Sequence, residues 1–192
     1  EYSDDQILSE LKKNNLNFQI LNPKNKAQIV SEQIAKGEIV GWFQGRMEYG
    51  PRALGARSIL ADASDIETIK RLNEKLQRND FMPFAPVTID TWAEKCFVGW
   101  APDHVASKFM TTCYCCTDFL REKCPAIVHI DNTARPQVIT RDDNPEYFDV
   151  IKLYIEKTGN PAIINTSFNF HEEPIVMNPF DAIKCFRDKN VT

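Results

Sequence analysis

The sequence predicts an α/β chain, or an α+β one built on a mixed sheet. Three observations carry that reading. Helical patterns with recognisable end signals alternate with short runs rich in β-branched residues along the chain. Its 192 residues, 43% hydrophobic and 26% charged, suffice for one domain with a proper core. No internal repeat, low-complexity tract or convincing linker interrupts the alternation.

Taken in order, SDDQILSELKKN (3–14) reads as a helix. Ser3 can cap its start, acids fill the first turn and lysines the last. NFQIL (17–21) predicts a strand. Over 25–36 the apolar positions Ala27, Val30 and Ile34 recur until Gly37, which marks a helix end. EIVGWF (38–43) predicts a strand that feeds into an arginine-rich stretch. Ser64 with Glu67 gives a capping-box signal ahead of Ile66, Ile69, Leu72 and Leu76. PAIVHID (125–131) and PQVIT (136–140) predict two strands joined by NTAR. Asn144 and Pro145 open the clearest helix, whose stripe of Tyr147, Val150, Ile151, Tyr154 and Ile155 runs towards Gly159. PAIINTS (161–167) predicts a strand, and NPFDAIKCF (178–186) starts a last helix.

The net charge of −4 excludes a general polyanion binder, so any anion site must be a local concentration of arginine. No apolar run approaches the roughly 18 residues of a membrane span, and no signal peptide is visible, so the expected compartment is cytoplasmic. Four of six cysteines fall in CYCCTDFLREKC (113–124). That spacing fits zinc poorly, and reduced thiols are the expectation, with no metal site.

The stretch GRMEYGPRALGARSILAD (45–62) concentrates Arg46, Arg52 and Arg57 beside Gly45, Gly50 and Gly55. It matches neither a P-loop nor a dinucleotide fingerprint. Arginine forks nonetheless suit phosphate or carboxylate, and glycines permit close backbone approach. The competing reading is a solvated face with Arg46 or Arg52 paired to Glu48. HIDNTARPQ (129–137) sets Arg135 in a tight connection. NTSFNF (165–170) ends a strand with Asn165, Thr166, Ser167 and Asn169, where open α/β sheets place ligands. The bland alternative there is turn chemistry. His129 alone is more often a satisfied strand histidine than a catalyst, and no nucleophilic triad stands out.

GRMEYGPRALGARSILAD, NDFMPFAPV, HIDNTARPQ and GNPAIINTSFN…EPIV, in that order, resemble the C-terminal domain of O-carbamoyltransferases of the nodulation-factor and antibiotic-tailoring type. The resemblance covers roughly residues 37–187. It implies a YrdC-like twisted mixed sheet over 23–192, with 1–22 as the connection from a missing N-terminal domain. It further implies that ATP and carbamoyl phosphate, with Mg²⁺, yield carbamoyl-adenylate, pyrophosphate and phosphate. The N-terminal domain, of actin-like ATPase fold with a metal held on histidines, would then move the carbamoyl group to a hydroxyl.

On the family's motifs, Arg52 and Arg57 are expected to hold phosphate oxygens. Arg135 and Ser167 are expected near the nucleotide or the carbamoyl group. Asn165 and Asn169 share the last motif, Arg46 and Arg78 add cations around the nucleotide, and His129 and Asp131 shape the connection that presents Arg135. Leu76 and Met82 replace two cations of many relatives, and each lost charge-assisted hydrogen bond is worth about 1.5–3 kcal/mol. Either Lys75 substitutes through a register change or the pocket is rearranged. Two other readings stay open: a nucleic-acid-binding module, disfavoured by sparse aromatics around the arginines, and a degenerate domain that only docks or regulates its partner domain. No membrane partner is implied, and a homodimer is compatible with the sequence.

Overall fold

The computed structural model describes residues 1–77 and 83–189, so Arg78 and Met82 lie outside the described residues. The strands are β1 (Val40–Phe43), β2 (Arg57–Asp62), β3 (Ala85–Ile89), β4 (Tyr114–Cys115), β5 (Thr133–Ala134), β6 (Gln137–Ile139) and β7 (Ile163–Ser167). Five form one sheet in the order β1-β2-β7-β3-β6, antiparallel except for the β3–β6 pair. The short β4 and β5 pair separately. The helices are α1 (Asp4–Lys13), α2 (Pro23–Ala35), α3 (Glu67–Leu76), α4 (Asp90–Cys96), α5 (Asp118–Lys123), α6 (Pro145–Thr158) and α7 (Pro179–Lys189). The predicted mixed sheet flanked by helices is what forms.

Strand alternation divides the core in two. Leu60 of β2 and Ile163 of β7 pack with Val30 and Ile34 of α2 and with the Tyr147–Ile155 stripe of α6. Ile59, Ala61 and Ile164 face the opposite side, against Leu72 and Leu76 of α3, Phe97 and Leu120. Each fully buried aliphatic side chain contributes roughly 1.5–3 kcal/mol. The central strands are therefore held from both faces, which gives the end of β7 a rigid base. The α6 ends follow their residues: Asn144 Oδ1 accepts from Tyr147 N at 3.2 Å, and Gly159 closes the helix at φ 72°. The α1 start forms the full capping box between Ser3 and Gln6. This helix packs on α7, with Arg187 donating to Asn14 Oδ1 at 3.1 Å.

Three expectations are corrected. NFQIL (17–21) is an irregular connector, with Ile20 75% exposed, because it meets no sheet edge. PAIVHID is a 3₁₀ turn over Pro125–Ile127 followed by irregular chain. Its amides are spent elsewhere: Ala126 N donates to Ala63 O, Ile127 N to Cys124 O, and Val128 N to Pro125 O. At α3 no capping box forms. Ser64 turns back to Asp62, and Asp65 Oδ1 instead accepts from Glu67 N at 2.9 Å. One sheet strand, β2, lies inside the stretch read from sequence as a ligand loop.

No disulfide joins any of the six cysteines, all of which lie among the described residues. Burial pushes the Cys116 thiol up to about 11 and Cys124 to about 12, so both stay protonated near neutrality.

Candidate active-site cleft

The chain leaves β1 at Phe43 and re-enters the sheet at Arg57 through the arginine-rich loop. Most of that loop has no ladder to satisfy its backbone, so side chains do the work. Glu48 Oε1 accepts three amides, from Leu54 at 2.6 Å, Ala56 at 2.7 Å and Arg57 at 3.1 Å. Gly55 N donates to Ser58 Oγ at 3.0 Å, and Gly55 O accepts from Trp42 Nε1 at 2.8 Å. Asn165 Nδ2 donates to Ala53 O at 3.0 Å and to Gln137 Oε1 at 2.8 Å, while Gln137 Nε2 donates to Leu54 O at 2.8 Å. These bonds pin the loop to the end of β7 and to β6.

Beside the pinned loop opens a cleft of about 220 Å³. Its polar lining is Arg52, Arg135, Asn165, Thr166, Ser167 and Asn169, with His171 and Glu172 at the same cleft and Phe84 and Phe170 among its apolar residues. Arg52 and Arg135 also border an adjoining, more open hollow with Tyr49 and Phe109. Burial holds the Arg135 guanidinium below its usual pKa, and the neighbouring Arg52 charge adds to that. Arg135 Nε is buried without an acceptor among the described residues. Among the described residues neither arginine forms an ion pair. Two like charges at one cleft, with no ion-pair partner among the described residues, make a place where an anion is stabilised.

The carbamoyltransferase C-terminus profile matches residues 31–192. The chain belongs to this family. Nodulation protein NolO of Bradyrhizobium diazoefficiens is 40% identical over 162 residues, covering 83% of this chain and 29% of that protein. The chain spans about a third or less of the length of curated relatives such as this one. Among solved structures, full-length HypF in its phosphate- and nucleotide-bound form superposes with a TM-score of 0.60 at 16% identity, over 91% of this chain and 21% of that one. Sua5 of P. abyssi, complexed with L-threonine, gives 0.61 at 13% identity, over 89% of this chain and 46% of that one. At such identities the likeness is one of fold, and that fold is YrdC-like.

The carbamoyltransferase motifs divide on this frame. Arg52, Arg135, Asn165, Ser167 and Asn169 meet at the cleft. Ser167 donates to Asn169 Oδ1 at 2.5 Å, and Asn169 Nδ2 donates to Glu173 O at 2.6 Å. Arg57 lies elsewhere. It is 1% exposed, stacked at 3.6 Å on the Phe43 ring, and its guanidinium donates to the carbonyls of Gln44, Gly45, Ala56 and Met177. Its charge closes the loop, so it is not available to a ligand in the cleft. Arg46 is exposed and lines no part of the cleft. Arg78 lies outside the described residues.

His129 and Asp131 build the turn ahead of Arg135. Asp131 Oδ1 accepts from Thr133 N at 3.0 Å and Thr133 Oγ1 at 2.7 Å, and His129 Nδ1 meets the same hydroxyl at 3.1 Å. Neither lines the cleft. Gly55 corrects the expectation that glycines bring backbone to a ligand. At φ +100° its Cα faces the Tyr147 ring, where an added Cβ would lie 2.3 Å from a ring carbon. Leu76 is fully buried in the core and adds no charge to the cleft. The sequence reading missed Glu48 and Gln137 as loop anchors. The signal was a lone carboxylate within an arginine stretch, read there only as an ion-pair partner.

Proposed function

We propose that this domain activates the carbamoyl group as carbamoyl-adenylate, using ATP and carbamoyl phosphate, for transfer to a hydroxyl acceptor by a further domain of the same protein. One observation carries the reading: Arg52 and Arg135 share a cleft wall at the polar end of β7 without a counter-ion among the described residues. ATP brings about four negative charges and carbamoyl phosphate about two more, and the forks of exposed Arg52 and half-buried Arg135 answer that demand. HypF, which shares this fold, was solved in a phosphate- and nucleotide-bound form, and that supports a nucleotide as the ligand here.

In the proposed reaction, water cleaves carbamoyl phosphate to carbamate and phosphate. A carbamate oxygen then attacks the α-phosphorus, and the bond to the β-phosphate breaks with its electron pair leaving on pyrophosphate. Arg52 and Arg135 would hold phosphate oxygens in line and oppose the charge that develops on the leaving group. Thr166 and Ser167 bring hydroxyls to the same end of β7, suited to orienting a small polar group. Enclosure by the cleft walls limits hydrolysis of the adenylate.

Among the described residues no three His, Cys, Asp or Glu side chains gather to hold a metal. Glu172 is a carboxylate on the cleft lining, and Mg²⁺ would arrive on the nucleotide's own phosphate oxygens. No step above is assigned to it.

The test is single-turnover pyrophosphate release with protein in excess over ATP, with and without carbamoyl phosphate, on this chain and on the full-length protein. Release that requires carbamoyl phosphate is the expected result. Absence of release from both proteins, or release indifferent to carbamoyl phosphate, overturns the proposal.

A further inference from the structure

Glu48 occupies a position that in many phosphate-binding proteins belongs to the ligand. Consecutive backbone N–H groups that converge on one point form a nest, a concavity suited to anions. Here the amides of Leu54, Ala56 and Arg57 converge on one oxygen, Glu48 Oε1, at 2.6, 2.7 and 3.1 Å, while the intervening Gly55 N–H donates to Ser58 Oγ. The second carboxylate oxygen is buried without a hydrogen-bond partner among the described residues. Beneath the nest, Gly55 faces the Tyr147 ring so closely that a side chain there would strike it. The buried Arg57 cation lies within electrostatic reach of Glu48, which offsets part of the cost of burying it.

We infer that Glu48 is a positioning residue: a resident anion that fills the amide nest of the 53–57 loop and so fixes where Arg52 stands at the cleft. The charges then sort themselves. Glu48 and Arg57 balance each other inside the loop, and Arg52 with Arg135 is left to the ligand. The backbone of the loop is closed to phosphate, so the site recognises its anion through side chains. This inference rests on reading Arg52 as a phosphate ligand, and the experiment keeps the two claims apart.

The ligand-free arm measures amide hydrogen exchange of Leu54, Ala56 and Arg57 in the wild type, Glu48→Gln and Glu48→Ala, with formate added to the last. Glu48→Gln keeps one acceptor oxygen and is expected to protect the three amides. Glu48→Ala is expected to speed their exchange at least tenfold, and formate in the vacated nest to slow it again. The binding arm measures inorganic pyrophosphate by calorimetry. Glu48→Ala should weaken it at least tenfold, with recovery in formate and near-wild-type affinity in Glu48→Gln. Unchanged exchange in a folded Glu48→Ala protein overturns the inference. So does a loss of pyrophosphate affinity that neither formate nor glutamine restores. A Glu48→Ala chain that does not fold hands the decision to Glu48→Gln, whose unprotected amides or weakened pyrophosphate binding would overturn it. If the wild type binds no pyrophosphate, the proposed function falls, and the exchange arm alone decides the nest.

Discussion

Two adjoining regions of this domain treat polar groups in opposite ways. From Ala53 O to Arg57 N the loop's backbone is taken up by side chains: Glu48, Ser58, Trp42, Gln137, Asn165 and Arg57 itself. At the cleft wall, Arg52 and Arg135 stand together without a counter-ion among the described residues. The difference teaches where the molecule keeps its electrostatic cost. A scaffold whose backbone lacked partners would flex, and a site with paired groups would not need a ligand. The first region's backbone is taken up, with only side-chain atoms such as Glu48 Oε2 and Arg57 Nε left buried without partners among the described residues, and that is what makes the unpaired charge in the second usable.

The comparison breaks most severely at Arg57. Replacing it by alanine removes a buried cation from four carbonyls and from the Phe43 ring, and leaves the loop ends open. Arg57→Ala should lose roughly 3–5 kcal/mol, the scale of breaking a buried charge arrangement. In a domain of this size that is a fall in Tm of about 6–20 °C, measurable by scanning calorimetry. If Arg57 served the ligand instead, stability would hold and anion affinity alone would drop. Gly55→Ala comes next. Its methyl would meet the Tyr147 ring at a backbone angle that side chains rarely adopt, and overpacking with strain should cost about 3 kcal/mol. A denaturation midpoint within error of wild type would show that the loop can shift away.

How much of this was legible in the sequence depends on what carries the information. Helices α2 and α6 were legible because their apolar stripes, caps and terminal glycines are side-chain features. The strand β7 was legible from its β-branched run. β2 was hidden because its first residue, Arg57, looks like a ligand residue until its burial is known. PAIVHID has strand-forming residues, yet Pro125 and the bond from Ala126 N to Ala63 O hold its start in a 3₁₀ turn. The amide nest was invisible for a deeper reason: every residue but proline carries an N–H, and convergence depends on backbone angles. The arginines of the cleft were legible by type and motif. Which of them meet, and that Arg57 turns inward, required the fold.

The remaining predictions sharpen the contrast from the cleft side. Arg52→Ala and Arg135→Ala should each weaken pyrophosphate binding by about 2–3 kcal/mol, or ~30–150-fold, if each contributes a charge-assisted bond. Their stabilities should stay near wild type, and Arg135→Ala is expected to gain slightly because its like-charge neighbour remains. The double variant tests whether they act together, since partners on one anion give non-additive losses. Affinity unchanged in both single variants would remove them from the site.

The smallest expected effect lies in the turn that presents Arg135. His129 faces Thr133, Asp131 and the Arg135 charge. Burial lowers its pKa, Asp131 opposes that shift, and Arg135 reinforces it. The folded state therefore takes up the proton less readily than the unfolded chain, whose value is about 6.5. Unfolded molecules bind more protons as pH falls, so the stability contributed by neutral His129 is present above about pH 6.5 and is lost as pH falls through the lower folded value. Between about pH 7.5 and about pH 5, wild-type Tm should fall roughly 1–2 °C more than that of His129→Gln, a small figure because the ring is only half-buried. Parallel curves for the two proteins would mean that His129 titrates as it does in the unfolded chain. The turn would then depend on Asp131 and Thr133 alone, and the cleft arginine would be held by hydrogen bonds that pH does not reach.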